Sequence, residues 1–322
     1  MRNDHMADLV RALRDQRLLI IGDVMLDENL WGEVRRVSPE APVPVVELTR
    51  STHVPGGAAN NAANAVALGG RPFLGGVVGD DPQADQLRQC LSEHGVDASG
   101  LRVDRERPTT TKTRIVAHSQ HVVRVDRECR TPISPELEGE LLAWANDLLP
   151  TVGACIISDY AKGVVSPRLA ADLIRCARQA GIPVVVDPKG LDYCIYRGAD
   201  VVTPNLYEAE RAARLDIRNE EEVARLGHHL DEELGGSAVL ITRGNEGMTL
   251  FTATSHLHIP AEAHAVFDVT GAGDTAITTL ALSLGAGASL EDAARLANRA
   301  AGIVVGKVGT AVVSHEELLD GL

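Results

Sequence analysis

Residue types and spacing come closest to specifying a reaction in one short segment of this chain, Gly271-Ala272-Gly273-Asp274. Two glycines one residue apart let the backbone curl so that successive N–H groups point into one concavity. The apolar run from Ala276 to Leu284 reads as a helix, whose positive dipole end adds to those amides. Such a turn attracts phosphate. A carboxylate at Asp274 would repel that anion, unless the acid takes a proton from an attacking hydroxyl while the amides stabilise a transferring phosphoryl group. The same residues also fit a plain helix start with aspartate as its cap.

Other polar groups recur at similar places. Gly56-Gly57-Ala-Ala-Asn60-Asn61-Ala-Ala-Asn64 opens as a tight turn and continues as an Ala/Asn helix. Asparagine is a mediocre helix former, so three in five positions call for hydrogen-bond partners. Asn60 and Asn64, at i and i+4, share a face that could meet a polyhydroxylated ligand or satisfy nearby loops. Asp159-Tyr-Ala-Lys162-Gly and Asp187-Pro-Lys189-Gly share a form, an acid followed by lysine and glycine. Those lysines suit phosphate, or plain solvent exposure. Asn205-Leu-Tyr-Glu208 places a carboxylate one helical turn after an amide. It could orient a hydrated Mg²⁺ or simply complement a helix dipole. His256, His258 and His264 show no zinc spacing and read as surface residues.

Six apolar runs carry these groups at their ends: 17–23, 75–80, 154–159, 182–187, 199–205 and 237–244. Helix-period segments separate them. The clearest spans 166–180, with Ser166 as N-cap, Pro167 at the first helical position and Gly181 beyond its end. Strand–helix alternation of this kind predicts an α/β fold, a Rossmann-like, mostly parallel sheet with helices on both faces. Ligands of such sheets sit outside the carboxyl ends of the strands. Asp23, Asp159, Asp187, Asn205 and the 271–274 turn would share that rim. Segments 28–50 and 109–126 break the pattern. The first is too proline-rich for a helix or central strand; the second reads as a hairpin turning at His118-Ser119-Gln120. Together they predict a small β-sheet, placed to act as a lid or a dimer contact. No linker marks a second full domain, so residues 1–322 read as one.

Bulk properties narrow the partners. A net charge of −14 argues against a nucleic-acid or anionic-membrane surface, and 3% aromatic residues leave little for stacking on single strands. The five cysteines are odd in number, with no C-x-x-C pair, and read as reduced thiols of a cytoplasmic protein. No apolar stretch reaches membrane-spanning length.

Three of these motifs together, Gly56-Gly57-Ala-Ala-Asn60, Asn205…Glu208 and Asp268-Val-Thr-Gly-Ala-Gly-Asp274, resemble the ribokinase-like carbohydrate kinases of the PfkB family over almost the whole chain. Further segments resemble one branch, the bacterial D-glycero-β-D-manno-heptose 7-phosphate kinases: Gly22-Asp-Val-Met-Leu-Asp27, Val37-Ser-Pro-Glu-Ala-Pro-Val-Pro-Val-Val46, Thr111-Lys-Thr-Arg114, Ser158-Asp-Tyr160 with Lys162-Gly-Val164, Asp187-Pro-Lys-Gly190 and Ala301-Gly-Ile-Val-Val-Gly-Lys307. The resemblance implies ATP and Mg²⁺ as cofactors and a sugar phosphate as acceptor. Kinases for fructose, ribose or a nucleoside, and a non-catalytic sugar-binding regulator, are the alternatives. It implies Asp274 as the base and Gly271, Ala272 and Gly273 as the anion hole. Asp23, Gly56, Gly57 and Asn60 would hold the sugar hydroxyls. Asn205 and Glu208 would serve Mg–ATP, with Thr242, Gly244 and Asn298 near the nucleotide. Lys162, Lys189, Arg114 and Arg124 are the candidates for the sugar's own phosphate. The lid sheet is often a homodimer contact in the family. Many relatives carry a fused nucleotidyltransferase; this chain ends about where the kinase part should, which implies that adenylylation falls to a separate protein. The helix after Gly57 departs from the pattern at Asn61 to Asn64, where relatives usually carry Val and Arg after the first Asn.

Overall fold

The structure, a computed structural model, describes residues 2–118, 120–262, 266–307, 309 and 311–320. Ser119 and His264 lie outside these. The first part of the chain forms α1 (Arg2–Ala12), β1 (Arg17–Gly22), β2 (Val24–Val37), β3 (Pro44–Gly57), α2 (Ala58–Ala67), β4 (Arg71–Val78), α3 (Pro82–Glu93) and β5 (Asp97–Val103). The middle forms β6 (Thr111–Ala117), β7 (Gln120–Arg127), α4 (Pro135–Leu148), β8 (Ala154–Ser158), α5 (Pro167–Ala180), β9 (Val184–Asp187), β10 (Val201–Val202) and α6 (Leu206–Ala213). The last part forms α7 (Glu220–Glu233), β11 (Ala238–Thr242), β12 (Met248–Thr252), β13 (Ser255–Ile259), α8 (Ala272–Gly285), α9 (Leu290–Val304) and α10 (His315–Asp320).

Period-two alternation explains the layers. In β1, Leu18 and Ile20 point into one apolar cluster, while Leu19 and Ile21 point into another on the opposite face. The first cluster takes in Val10 of α1, Ala62 of α2, Ile277 of α8 and Leu296 of α9. The second takes in Leu141 of α4, Leu173 of α5, Ala209 of α6 and Leu226 of α7. Helices therefore cover both faces. The strand order is β13-β12-β11-β10-β9-β8-β1-β4-β5. The run from β11 to β5 is parallel, and β12 and β13 add an antiparallel edge. From β1 the chain moves outward to β4 and β5, then crosses back to β8 and moves the other way. That reversal puts the crevice for ligands beyond the carboxyl ends of β1 and β8. All six apolar runs became strands of this sheet. Helix α5 starts and stops where its caps predict, with Ser166 accepting from the Leu169 amide and Gly181 in the left-handed conformation.

A second sheet has the order β3-β2-β6-β7. Strands β2 and β3 form a long antiparallel hairpin whose tip, 38–43, holds two of the prolines; Pro44 opens β3, an edge strand, as proline requires. β6 joins β2 in parallel, and β7 returns antiparallel. The strands run deeper than the segments 28–50 and 109–126 suggest. β2 begins directly after Asp23 with Val24, Met25 and Leu26 buried, and β3 ends buried at Gly56 and Gly57. The small sheet is thus rooted in the core at the carboxyl-end rim of the main sheet.

Close approach at that rim explains one glycine. A Cβ on Gly22 would lie 2.0 Å from the Ser158 carbonyl oxygen across the β1–β8 pair. Gly22→Ala should therefore lower stability by at least ~2 kcal/mol, as overpacking a tight interior does, read as a lower denaturant midpoint.

Candidate functional site

Gly271 adopts a left-handed conformation (φ 82°) as N-cap of α8, so Ala272, Gly273 and Asp274 form the first turn, where backbone amides lack partners within the helix. Asp274 makes no side-chain cap to this helix, although it sits in its first turn. One of its carboxylate oxygens accepts from Asn60 Nδ2 at 2.6 Å, the other from the Tyr160 hydroxyl at 2.5 Å. Burial pushes the Asp274 pKa up; the Tyr160 and Asn60 bonds and the Lys189 charge oppose that, while Asp27 adds to it.

Two cavities meet at this turn. The first, 460 Å³, contains Asp27, Gly56, Gly57, Asn60, Lys112, Arg114, Tyr160, Asp187, Lys189, Asn205 and Glu208 as well as Gly271–Asp274. The second, 350 Å³, is more apolar and is lined by Met248, Ala261, Val266, Ala301 and Val305, with Asn298 at its wall. Thr242, Gly244, Val269, Ala272 and Gly273 line both. A molecule with a polar and an apolar part could thus lie across the start of α8.

Most residues singled out from sequence are brought together here, and several are not. Asp23 is 1% exposed and stands behind the cavity. Its carboxylate accepts the amides of Tyr160, Lys162 and Val164 at 2.7, 3.0 and 3.1 Å, so it curls the loop after β8 and does not line the cavity. Burial raises its pKa against those bonds. Lys162 turns to Glu128 at 2.7 Å, and Arg124 lies exposed on β7 against Asp126. Neither lines the cavity. Lys189 does, bonding Glu208 at 2.6 Å with Asp187 at 3.6 Å, and Arg114 does, paired with Asp27 at 3.2 Å.

The asparagines of α2 divide. Asn60 reaches the cavity, whereas Asn64 is fully buried, donating to the Asn60 carbonyl and accepting from the Thr275 hydroxyl, and so serves the α2–α8 contact. Asn205 and Glu208 form a capping box at α6. Both still line the cavity. Of the histidines read as surface residues, His256 is exposed and stacks on Phe251, while His258 meets the Thr249 hydroxyl. Among the described residues all five cysteines are free.

Asp27, Lys112 and Tyr160 were missed. Period two signals Lys112, since it shares a face of β6 with Arg114. Asp27 closes the Gly22–Asp27 segment four residues into β2, past the strand-end acids. Tyr160 has no signal beyond its place next to a strand-end acid.

The pfkB family carbohydrate kinase profile matches residues 15–317. The chain is 46% identical to the bifunctional protein HldE of Paramagnetospirillum magneticum over 318 residues, 98% of this chain and 65% of that protein. It is 48% identical to the bifunctional protein HldE of Geobacter sulfurreducens over 305 residues, 94% of this chain and 62% of that protein. It therefore spans less than two thirds of the length of these relatives. Among solved structures it superposes on Arabidopsis thaliana ribokinase complexed with ribose and ATP with a TM-score of 0.76 at 20% identity, covering 95% of this chain and 98% of that one. Phosphofructokinase-2 from Escherichia coli gives 0.76 at 17% identity, covering 95% and 97%. At such identities the likeness shows the fold, a ribokinase-like one. The chain belongs to the pfkB family of carbohydrate kinases, and it is a sugar kinase.

Crowding has a measurable consequence. Burial pushes the Asp187 pKa up to about 7, with Lys189 opposing and Asp274, Glu208 and Asp159 adding to it. A carboxyl whose folded pKa exceeds its unfolded value binds more protons when folded, so its contribution to stability falls as pH rises from about 4 to about 7. Asp187→Asn should remove that slope. Relative to the parent protein its melting temperature should rise by at least ~2 °C between pH 5 and pH 8, the equivalent of about 1 kcal/mol in a domain of this size.

Proposed function

We propose that this sugar kinase transfers the γ-phosphoryl group of ATP to O1 of D-glycero-β-D-manno-heptose 7-phosphate, giving the 1,7-bisphosphate on the route to ADP-heptose and lipopolysaccharide. The observation that carries this reading is the pair of lid cations, Lys112 and Arg114, lining the same cavity as Asp274. A neutral sugar needs hydroxyl partners only; one that already bears a phosphate needs cations. Burial lowers the Lys112 pKa, and an anionic group beside it would oppose that shift. Lys189 is the third cation of this cavity.

Asp274 takes the proton of the O1 hydroxyl as O1 attacks the γ-phosphorus and the bond to ADP breaks. Charge on the transferring phosphoryl oxygens meets the amides of Gly271, Ala272 and Gly273 at the positive end of α8. Asp27, Gly56, Gly57 and Asn60 hold the sugar, Asp27 taking the place expected of Asp23. Thr242, Gly244 and Asn205 face the nucleotide's phosphates, and the apolar cavity beside Asn298 accepts its base. The donor set fits Mg²⁺: Glu208 offers a hard carboxylate in a cavity where four acids face three cations among the described residues, and Mg²⁺ needs only one or two such groups beside its waters. When bound, the ion supplies positive charge to the nucleotide's phosphates.

The lid also supports a homodimer contact. Every described residue of β7 is exposed, including Val122, Val123 and Val125, and a strand edge left open invites a second copy.

A panel of sugars with ATP tests the reading: turnover of the heptose phosphate is expected, and turnover of an unphosphorylated sugar with none of the heptose phosphate overturns it. Asp274→Asn should keep ATP binding and lower kcat at least ~100-fold, the lower end for losing a general base. Lys112→Ala should raise KM for the heptose phosphate ~10–100-fold, the equivalent of one charge-assisted hydrogen bond, with KM for ATP unchanged. Val123→Asp with Val125→Asp should shift the protein from dimer to monomer in light scattering.

A further inference from the structure

The Asp274 carboxylate is held by two donors from different elements, one of them Asn60, in α2 just after Gly56 and Gly57. The other is the hydroxyl of Tyr160, in the loop after β8. That loop is built with unusual care. Asp23 accepts three of its amides, Asp159 accepts the Ala161 amide at 2.7 Å, and the buried Arg107 donates to the Lys162 carbonyl at 3.2 Å. Ala161 sits at φ 54° and Gly163 at φ 88° inside it. Two ammonium groups of the cavity lie over the Tyr160 ring, Lys112 Nζ at 5.6 Å and Lys189 Nζ at 5.4 Å from its centroid. Backbone, ring and hydroxyl are each fixed.

We propose that Tyr160 is a positioning residue for phosphoryl transfer: its hydroxyl, donating to one Asp274 oxygen while Asn60 holds the other, fixes the plane of the carboxylate and keeps it ionised to receive the acceptor's proton. This rests on Asp274 being the base. Each carboxylate oxygen has two acceptor sites, so one remains for the sugar hydroxyl. The phenol stays a donor throughout, because burial and then the Asp274, Asp187 and Glu208 charges push its own pKa well up. The charged groups around Asp274 are Asp27 from β2, Lys112 and Arg114 from β6, Asp187 and Lys189 at the end of β9, and Glu208 of α6. Lys189 favours the ionised form and Asp27 opposes it. A phenol hydrogen bond adds to the side of ionisation without adding charge that would compete for the phosphates. Asp23 acts one step further out, by shaping the loop that presents the ring.

The test reads the base directly. In protein labelled with ¹³C at the aspartate carboxyls, the Asp274 signal (assigned by its loss in Asp274→Asn) is titrated in the parent and in Tyr160→Phe, which keeps the ring and loses the hydroxyl. The midpoint should rise by about one pH unit in Tyr160→Phe, the equivalent of one hydrogen bond to a charged group. The acid limb of kcat/KM for the heptose phosphate should move with it. 3-Fluorotyrosine at position 160, a stronger donor of nearly the same shape, should move the midpoint down. An unchanged or lowered midpoint in folded Tyr160→Phe overturns the role of Tyr160; should that variant fail to fold, an unmoved midpoint in the fluorotyrosine protein overturns it instead. Full turnover by Asp274→Asn overturns the base itself, a separate failure.

Discussion

Carboxylates crowded at the carboxyl end of a parallel sheet set the terms for the rest of this molecule. Asp23, Asp159 and Asp187 are buried at strand ends, and Asp27, Glu208 and Asp274 join Asp187 around one cavity. Buried charge is tolerated only when it is paired or hydrogen-bonded, and each acid here meets that condition differently. Asp23 takes three backbone amides, and Asp159 takes an amide and the Tyr196 hydroxyl. Lys189 lies between Asp187 and Glu208. Asp274 has two neutral donors. Asp23 and Asp159 lie outside the cavity lining, whereas Asp274 lines it and is held by neutral side-chain donors alone.

The lid follows from the same rim. Because β2 leaves the core directly after Asp23 and β3 returns to it at Gly57, the hairpin is anchored at both ends next to the ligand crevice. β6 carries Lys112 and Arg114 into the cavity that the start of α8 also lines. Acids and cations of both sheets thus meet in one cavity. Every lid cation that lines the cavity comes from a strand paired with β2, so the register of the β2–β6 pair, with Asn29 opposite Arg114 and Asp27 opposite Lys112, decides which basic residues reach it.

Sequence made the fold largely legible because its signals are local and periodic. Apolar runs ending in acids mark the parallel strands, and Ser166, Pro167 and Gly181 mark a helix at both ends. The α8 turn was legible as well, since glycine spacing fixes its backbone. Basic residues were harder. Arg124 and Lys112 lie on neighbouring strands of one hairpin and Lys162 in the loop after β8; Arg124 turns to Asp126 two residues on, and only tertiary structure sends Lys162 to Glu128 and Lys112 into the cavity. Asp23 misled because a strand-end acid can serve a ligand or its own loop. Its three amide bonds depend on the positive φ of Ala161 and Gly163, which nothing near Asp23 in sequence announces. Tyr160 was invisible for a related reason: its role depends on a hydroxyl meeting a carboxylate 114 residues away.

In the proposed reaction one carboxylate serves the acceptor hydroxyl while the turn that carries it serves the phosphate. A crystal structure with a non-hydrolysable ATP analogue and the heptose 7-phosphate tests it most directly. O1 is expected within hydrogen-bond reach of an Asp274 oxygen, ~2.6–3.2 Å, in line with a γ-phosphate resting on the amides of Gly271 to Gly273. A γ-phosphate seated away from the start of α8, or a sugar with O1 turned from Asp274, would contradict it.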